Sequence, residues 1–446
     1  MELRDFLVTP FFLVMILLVA VWIRPFLTDK KTRSYFFPAL GLKLFGAMAL
    51  GALYQFYYSG GDTYNFHTHG SRIIWEAFFD NPALGIKLFL NLGEVEPEMY
   101  KYVSQIPFYR DSSSFFLIRI AAFFDLFTFS TYSSTALCFA LFSFLSSWYF
   151  FKAFYEMFPT LHRFLAWSIF FIPTVVIWGS GLLKDTITLG FLGLGTYGIK
   201  KIFMDRDYGF GKILLLVLSF LVIFYIKKYI LLCFLPAVLF WIFSGNLAKV
   251  KSMVLKILIF PFVMGVAFLF AYLAVLRIGG DDPRYALDNL AETSRVTAYD
   301  IRFYTGKDAG SGYSLGELDG SFGNLLSLAP KAINVALFRP YLWEVKNPLM
   351  LLSALESFVF LLITFWVFFK KGFFKFKVLT NPHILFCFVF SITFAFAVGV
   401  STFNFGTLSR YKIPLVPFFA LGLVLVSHPN ELNFRDLEGA SEKDNI

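Results

Sequence analysis

Asp62 stands directly after two glycines in YQFYYSGGDTYNFHTHG (54–70), and His67 and His69 follow it two residues apart. A carboxylate held at a lipid–water boundary by a tight turn loses part of its hydration. That suits it to take a proton from an incoming hydroxyl. The same Gly-Asp-Thr order also favours a plain Asx turn or helix cap. In an extended chain His67 and His69 point the same way, and with Asp62 they offer a weak signal for a divalent metal. No cofactor is required by the pattern, and a divalent metal is the one candidate. The GGDD at 279–282 is weaker still.

Cations recur in similar positions, at the ends of apolar runs. They are Lys184 in WGSGLLKD (178–185), Lys227 and Lys228 in YIKKY (225–229), Arg339 in FRPYLWEVKNP (338–348) and Arg410 in NFGTLSRYKIP (404–414). Arginine grips a phosphate with two parallel donors and lysine acts as a point charge, so the set suits a lipid phosphate at the membrane surface. Snorkelling to headgroups, or pairing with Asp185 and Glu344, explains any one of them equally well. Tyr64, Trp75, Trp178, Tyr341 and Trp343 have faces suited to stacking on sugars, and they also fit an interfacial aromatic belt.

The elements that carry these residues follow from composition. The chain has 446 residues, 58% of them hydrophobic and 15% charged. Soluble domains carry about 25% charged residues, so the expectation is an all-α polytopic membrane protein. Apolar runs at 6–24, 38–58, 132–152, 161–178, 182–199, 213–226, 229–245, 254–276, 349–369, 381–400 and 412–427 predict about eleven spans, roughly 10–13 in all. Lys227 and Lys228 divide two of these runs. The further run 114–130 carries Arg119 and Asp125, which reads as an amphipathic interfacial helix.

With the N-terminus outside, each of the inside loops 24–43, 152–163, 200–212, 246–256 and 370–378 is net positive, as cytoplasmic loops are. That accounts for the net charge of +9 without a nucleic-acid partner. The outer loops are then 59–131 and 277–348, within one transmembrane domain, 1–427. A short cytoplasmic tail covers 428–446. Residues 6–24 read as a retained span, because MELRD lacks a basic flank. Three cysteines inside apolar runs build no disulfide framework. GLGTYG (193–198) matches a dinucleotide fingerprint in letters only, and its place in a membrane helix predicts close packing instead. The glycine-rich 305–323 reads as a mobile or ligand-ordered segment.

Taken together, SGGDTYNFHTHG in a first outer loop, PTVVIWGSGLLKD (173–185) and NFGTLSRYKIPLVPFF resemble the large integral-membrane glycosyltransferases of the GT-C superfamily. The last motif is also similar to bacterial membrane polysaccharide polymerases. The resemblance implies a GT-C-like fold in a bacterial inner membrane and catalysis at its extracytoplasmic face. The partners it implies are membrane lipid, a polyprenyl-phosphate-linked sugar as donor, and a glycan, lipid or protein acceptor. Asp62 would be the base that activates the acceptor. Lys184, Lys227, Lys228, Arg339 and Arg410 would hold the donor phosphate, and Tyr64, His67, His69, Trp178, Tyr341, Trp343 and Tyr411 would contact substrate. This chain departs from the pattern in that the acid follows the second span and lacks an adjacent acid pair. Glu76, Asp185 and Glu344 therefore stand as alternative catalytic acids. An oligosaccharide polymerase or ligase is the nearest alternative. A lipid-linked glycan transporter or flippase, or a non-catalytic envelope partner, belongs to other classes.

Overall fold

A computed structural model describes residues 2–90, 96–248, 265, 289–304, 311–370 and 381–432. The expected span at 254–276, the GGDD at 279–282, the loop 371–378 and the tail beyond 432 lie outside the described residues. Among the described residues the chain is helical throughout, apart from one isolated bridge between Gly312 and Asn404.

Among the described residues six helices are long and apolar enough to cross a membrane: Leu3–Leu27, Arg33–Tyr57, Tyr132–Tyr155, Phe210–Ser244, Pro348–Phe369 and Pro382–Thr402. A bent pair, Phe405–Tyr411 and Val416–Ser427, makes a seventh if it is one span. The protein is thus an all-helical, multi-pass membrane protein. The expected runs 161–178 and 182–199 instead form shorter helices, interrupted before Pro173 and again at Gly179–Gly181. The runs 213–226 and 229–245 belong to one element with a single non-helical residue, Lys227 (φ −144°, ψ 77°).

The chain divides into two compact units. The first comprises Met1–Ala153, Ile169–Ile202 and Asp207–Lys228. Its helices are α1 (Leu3–Leu27), α2 (Arg33–Ala52), α3 (Asp62–Phe66), α4 (Arg72–Asp80), α5 (Pro82–Leu90), α6 (Ser112–Thr128), α7 (Tyr132–Tyr155), α8 (Pro173–Trp178), α9 (Lys184–Ile199) and α10 (Phe210–Ala248). The last residues of α7 and the second half of α10 belong to the other unit. The GLGTYG run lies in α9 and packs as expected: a Cβ on Gly193 would sit 2.9 Å from Phe150 Cβ of α7, so only glycine permits that approach.

In α6 the apolar Phe123 and Phe127 are exposed, while Ser114, Asp125 and Thr128 are buried. The charge that argued against burial is therefore turned inward, where Thr135 Oγ1 donates to Asp125 Oδ1 at 2.6 Å. Lys43, expected in the basic loop 24–43, lies inside α2 and is buried.

The second unit comprises Phe154–Ser168, Phe203–Arg206 and Tyr229–Ile446. Beyond its half of α10 it holds α11 (Leu290–Tyr304), α12 (Ala329–Phe338), α13 (Pro348–Lys370), α14 (Pro382–Thr402), α15 (Phe405–Tyr411) and α16 (Val416–Ser427). Lys412, at the 67° bend between α15 and α16, is buried and donates to Ser357 Oγ at 3.2 Å. Part of the glycine-rich stretch is pinned, not loose. Tyr313 N–H donates to Phe403 O at 3.1 Å, and Phe405 N–H donates to Ser311 O at 2.8 Å. Asn404, which caps α15, also donates to Ser311 Oγ at 2.9 Å. The preceding residues 305–310 lie outside the described residues.

Candidate functional site

Gly60 and Gly61 both take positive φ (130° and 123°), a turn that an L side chain rarely adopts. The turn launches α3 at Asp62, so the segment expected as an extended loop is helical. A π-helical turn, His67–Ser71, continues it. On a helix, residues two apart do not face each other. His67 is accordingly buried and His69 exposed, and the two do not converge with Asp62 on a metal. Among the described residues no three His, Cys, Asp or Glu side chains gather to hold one.

Tyr132, at the start of α7, fixes this segment from behind. Its hydroxyl shares a 2.8 Å hydrogen bond with Thr63 Oγ1, and its ring stacks on Tyr64 with centroids 4.4 Å apart. Tyr64 donates to Gln55 Oε1 at 2.9 Å, and burial with the charge of Asp5 pushes its phenol up to about 12. It is therefore a neutral donor, not a base.

Asp62 itself is part-exposed and lies within electrostatic reach of Lys184. Lys184 opens α9 and donates to Asp111 Oδ2 at 3.0 Å and to Ser113 Oγ at 2.7 Å. Its neighbour Asp185 is wholly buried and pairs with Lys227, the non-helical residue of α10. Lys227 and Lys184 also sense each other. Four separate segments of the first unit thus bring three carboxylates and two ammonium groups into one cluster. Asp111, which precedes α6, is a member the sequence reading missed. Burial pushes its carboxyl up, but the Ser114 hydroxyl and the Lys184 ammonium outweigh that and hold it at about 2. Its signal was the Asp-Ser-Ser-Ser order ahead of an apolar run, a helix-start pattern.

Lys43 was missed as well. Its Nζ donates to Gly179 O at 3.4 Å, and Ser143 Oγ donates to the same carbonyl at 2.5 Å. The two donors hold the bend from which Lys184 and Asp185 emerge. A lone lysine inside the apolar run 38–58 was the available signal.

The remaining candidates in the first unit are less engaged in the cluster. Glu76 is exposed on α4. Trp178 is buried edge-on to Tyr54, which leaves no free face for a sugar. Trp75 lies 4.7 Å from the Phe79 ring, and Lys228 sits over Phe224 at 5.2 Å.

In the second unit Arg339 pairs with Glu344, whose Oε2 also accepts the Tyr341 N–H at 2.8 Å. Burial raises the Glu344 carboxyl, but the bonds from Arg339 and Tyr341 bring it below its ordinary value. The Arg339 guanidinium lies over Phe405 at 5.3 Å, and Tyr341 stacks on the exposed Trp343 at 4.8 Å. Arg410 lies over its neighbour Tyr411 at 5.9 Å.

Chemically, the first-unit cluster pairs a part-exposed carboxylate with an ammonium group that a second carboxylate holds in place. Such an arrangement accepts a proton at one point and stabilises an anion at the other. No protein-family model, curated protein or solved structure matches this chain.

Proposed function

We propose that this protein is a GT-C-like membrane glycosyltransferase of about eleven spans, working at the outer face of a bacterial inner membrane with its N-terminus outside and its C-terminus cytoplasmic. It takes a sugar from a polyprenyl-phosphate carrier and passes it to a glycan, lipid or protein acceptor. The observation that carries this reading is Lys184, held by Asp111 and Ser113 within electrostatic reach of Asp62.

In the proposed reaction Asp62 accepts the proton of the acceptor hydroxyl. The hydroxyl oxygen forms the new glycosidic bond as the bond from the sugar to the carrier phosphate breaks. The phosphate leaves with the bonding electron pair, and Lys184 turns from Asp111 to meet its charge. Asp185 and Lys227 neutralise each other and hold the start of α9 against the kink of α10.

A second reading, transport of a lipid-linked glycan, is favoured by the broken helix pairs, Phe405–Tyr411 with Val416–Ser427 and Pro173–Trp178 with Lys184–Ile199. Interrupted helices build substrate sites in transporters. Complementation separates the two. A deletion strain is restored with wild-type protein or Asp62→Asn at equal membrane levels, and carrier-linked intermediates and surface glycans are read by mass spectrometry. Transfer predicts that Asp62→Asn leaves the acceptor lacking one sugar while the sugar-loaded carrier accumulates. A complete but untransferred glycan on its carrier would favour transport, and unchanged glycans in the deletion strain would sink both.

A further inference from the structure

Behind the turn that presents Asp62, two ionisable side chains face each other away from solvent. His67 on the π-helical turn and Asp125 on α6 are both fully buried, with Nε2 3.4 Å from Oδ1. Thr135 Oγ1 donates to Oδ1 at 2.6 Å and lies 2.7 Å from Thr128 Oγ1. Among the described residues, the other carboxylate oxygen, Oδ2, makes no hydrogen bond, and beyond the Nε2–Oδ1 approach neither do the ring nitrogens of His67. The Tyr132 ring closes the site edge-on, 5.5 Å from the imidazole.

The charged and titratable groups on the surrounding elements are mostly engaged elsewhere. On α3, Asp62 lies in reach of Lys184, and Tyr64 bonds Gln55. On α4, Arg72 is directed to Glu2 and to Ser130 O, and Glu76 is exposed. Arg119 of α6 points to the carbonyls of Phe89 and Leu90, and Asp5 of α1 accepts from Ser133 N–H. The Tyr132 hydroxyl is bonded to Thr63, and Cys138 of α7 lies within electrostatic reach of Asp125.

We propose that His67 and Asp125 form a buried proton-binding site. An ionised carboxylate beside a neutral imidazole would leave one uncompensated negative charge in a low-dielectric interior, which is expensive. One proton taken from hydronium onto the ring makes the pair neutral overall, and its return to water restores the starting state; no other bond changes. Among the described residues, Oδ2 and Nδ1 make no hydrogen bond that would lock the pair in one protonation state. Buried acid–histidine pairs in membrane proteins mark proton pathways. The site adds a proton-handling function that does not depend on the sugar-transfer reading.

The test uses the full chain in lipid nanodiscs with nitrogen-15 histidine, of which there are five. The His67 ring is assigned by elimination with His69→Gln, His162→Gln, His383→Gln and His428→Gln. The expected result is a ring that passes from two protonated nitrogens to one as pH rises. In Asp125→Asn, which keeps an acceptor for Thr135, the ring is expected to stay singly protonated throughout. A His67 ring that holds one protonation state at every pH in the wild type overturns the proposal. So does a folded Asp125→Asn whose titration superimposes on the wild type. If Asp125→Asn does not fold, the wild-type titration decides alone.

Discussion

The Lys184 cluster of the first unit and the Arg339 pair of the second use the same residue types for different ends. Arg339 and Glu344 are five residues apart, and Glu344 also accepts the Tyr341 N–H, so both charges are consumed in fixing one short loop. Lys184 meets an acid from a remote segment, 73 positions away, beside a second ion pair that ties the same helix, α9, to α10. A closed local pair holds backbone in place. A shared cluster assembled at distance has an ammonium group that can change partners. The proposed chemistry is therefore placed in the first region, and a structural role in the second.

Breaking that contrast should show first in activity. Lys184→Ala should lower transfer on the order of 100–1,000-fold, the cost of losing a charge donor to a leaving oxygen, with little change in folded yield. Arg339→Ala should do the reverse and lower yield and melting temperature while rate per folded molecule is kept. Rate assays paired with thermal melts in detergent read both.

The buried half of the first region should govern stability. Lys227→Met removes the cation paired with the buried Asp185 carboxylate, which costs about 3–5 kcal/mol. Lys227→Met with Asp185→Leu should recover much of that loss in denaturant or thermal unfolding. An equal loss in single and double variants would mean that the pair is not what fixes α9 to α10.

The smallest expected effect is a pH dependence. The Asp111 carboxyl is held at about 2, below its ordinary value of 3.8. Its stabilising contribution is thus fully present above pH 4 or so and is lost as pH falls towards about 2. Because the side chain is half exposed, screening limits the contribution to roughly 1 kcal/mol or less. Asp111→Asn should flatten the acid limb of the melting curve between pH 4 and 2, and Lys184→Ala should flatten it in part.

Much of the helical architecture was legible, because long apolar runs leave few other structures in lipid. The packing role of GLGTYG was legible too, as was the pairing tendency of Asp185 and Glu344. The turn of His67 away from His69 was not, since it depends on whether 62–71 is extended or helical, and Gly60 and Gly61 are compatible with both. Nor was Asp111, because the meeting of α6 and α9 is a tertiary event that leaves no local trace beyond a helix-start pattern. Lys43 was visible as a charge in an apolar run but was counted with the loop before it. The kink at Lys227 was not legible, because the two lysines between apolar runs read as the boundary of two separate spans, whereas the runs belong to one element.

The most direct measurement is donor turnover by the purified full chain in nanodiscs, given polyprenyl-phosphate-linked sugars with a mixed acceptor pool. Release of the carrier phosphate is followed for wild type, Lys184→Ala and Arg339→Ala. The prediction is release by wild type and by Arg339→Ala, with Lys184→Ala reduced on the order of 100-fold or more. Release that is equal in Lys184→Ala and wild type, or that is lost only in Arg339→Ala, would contradict the assignment of chemistry to the first unit.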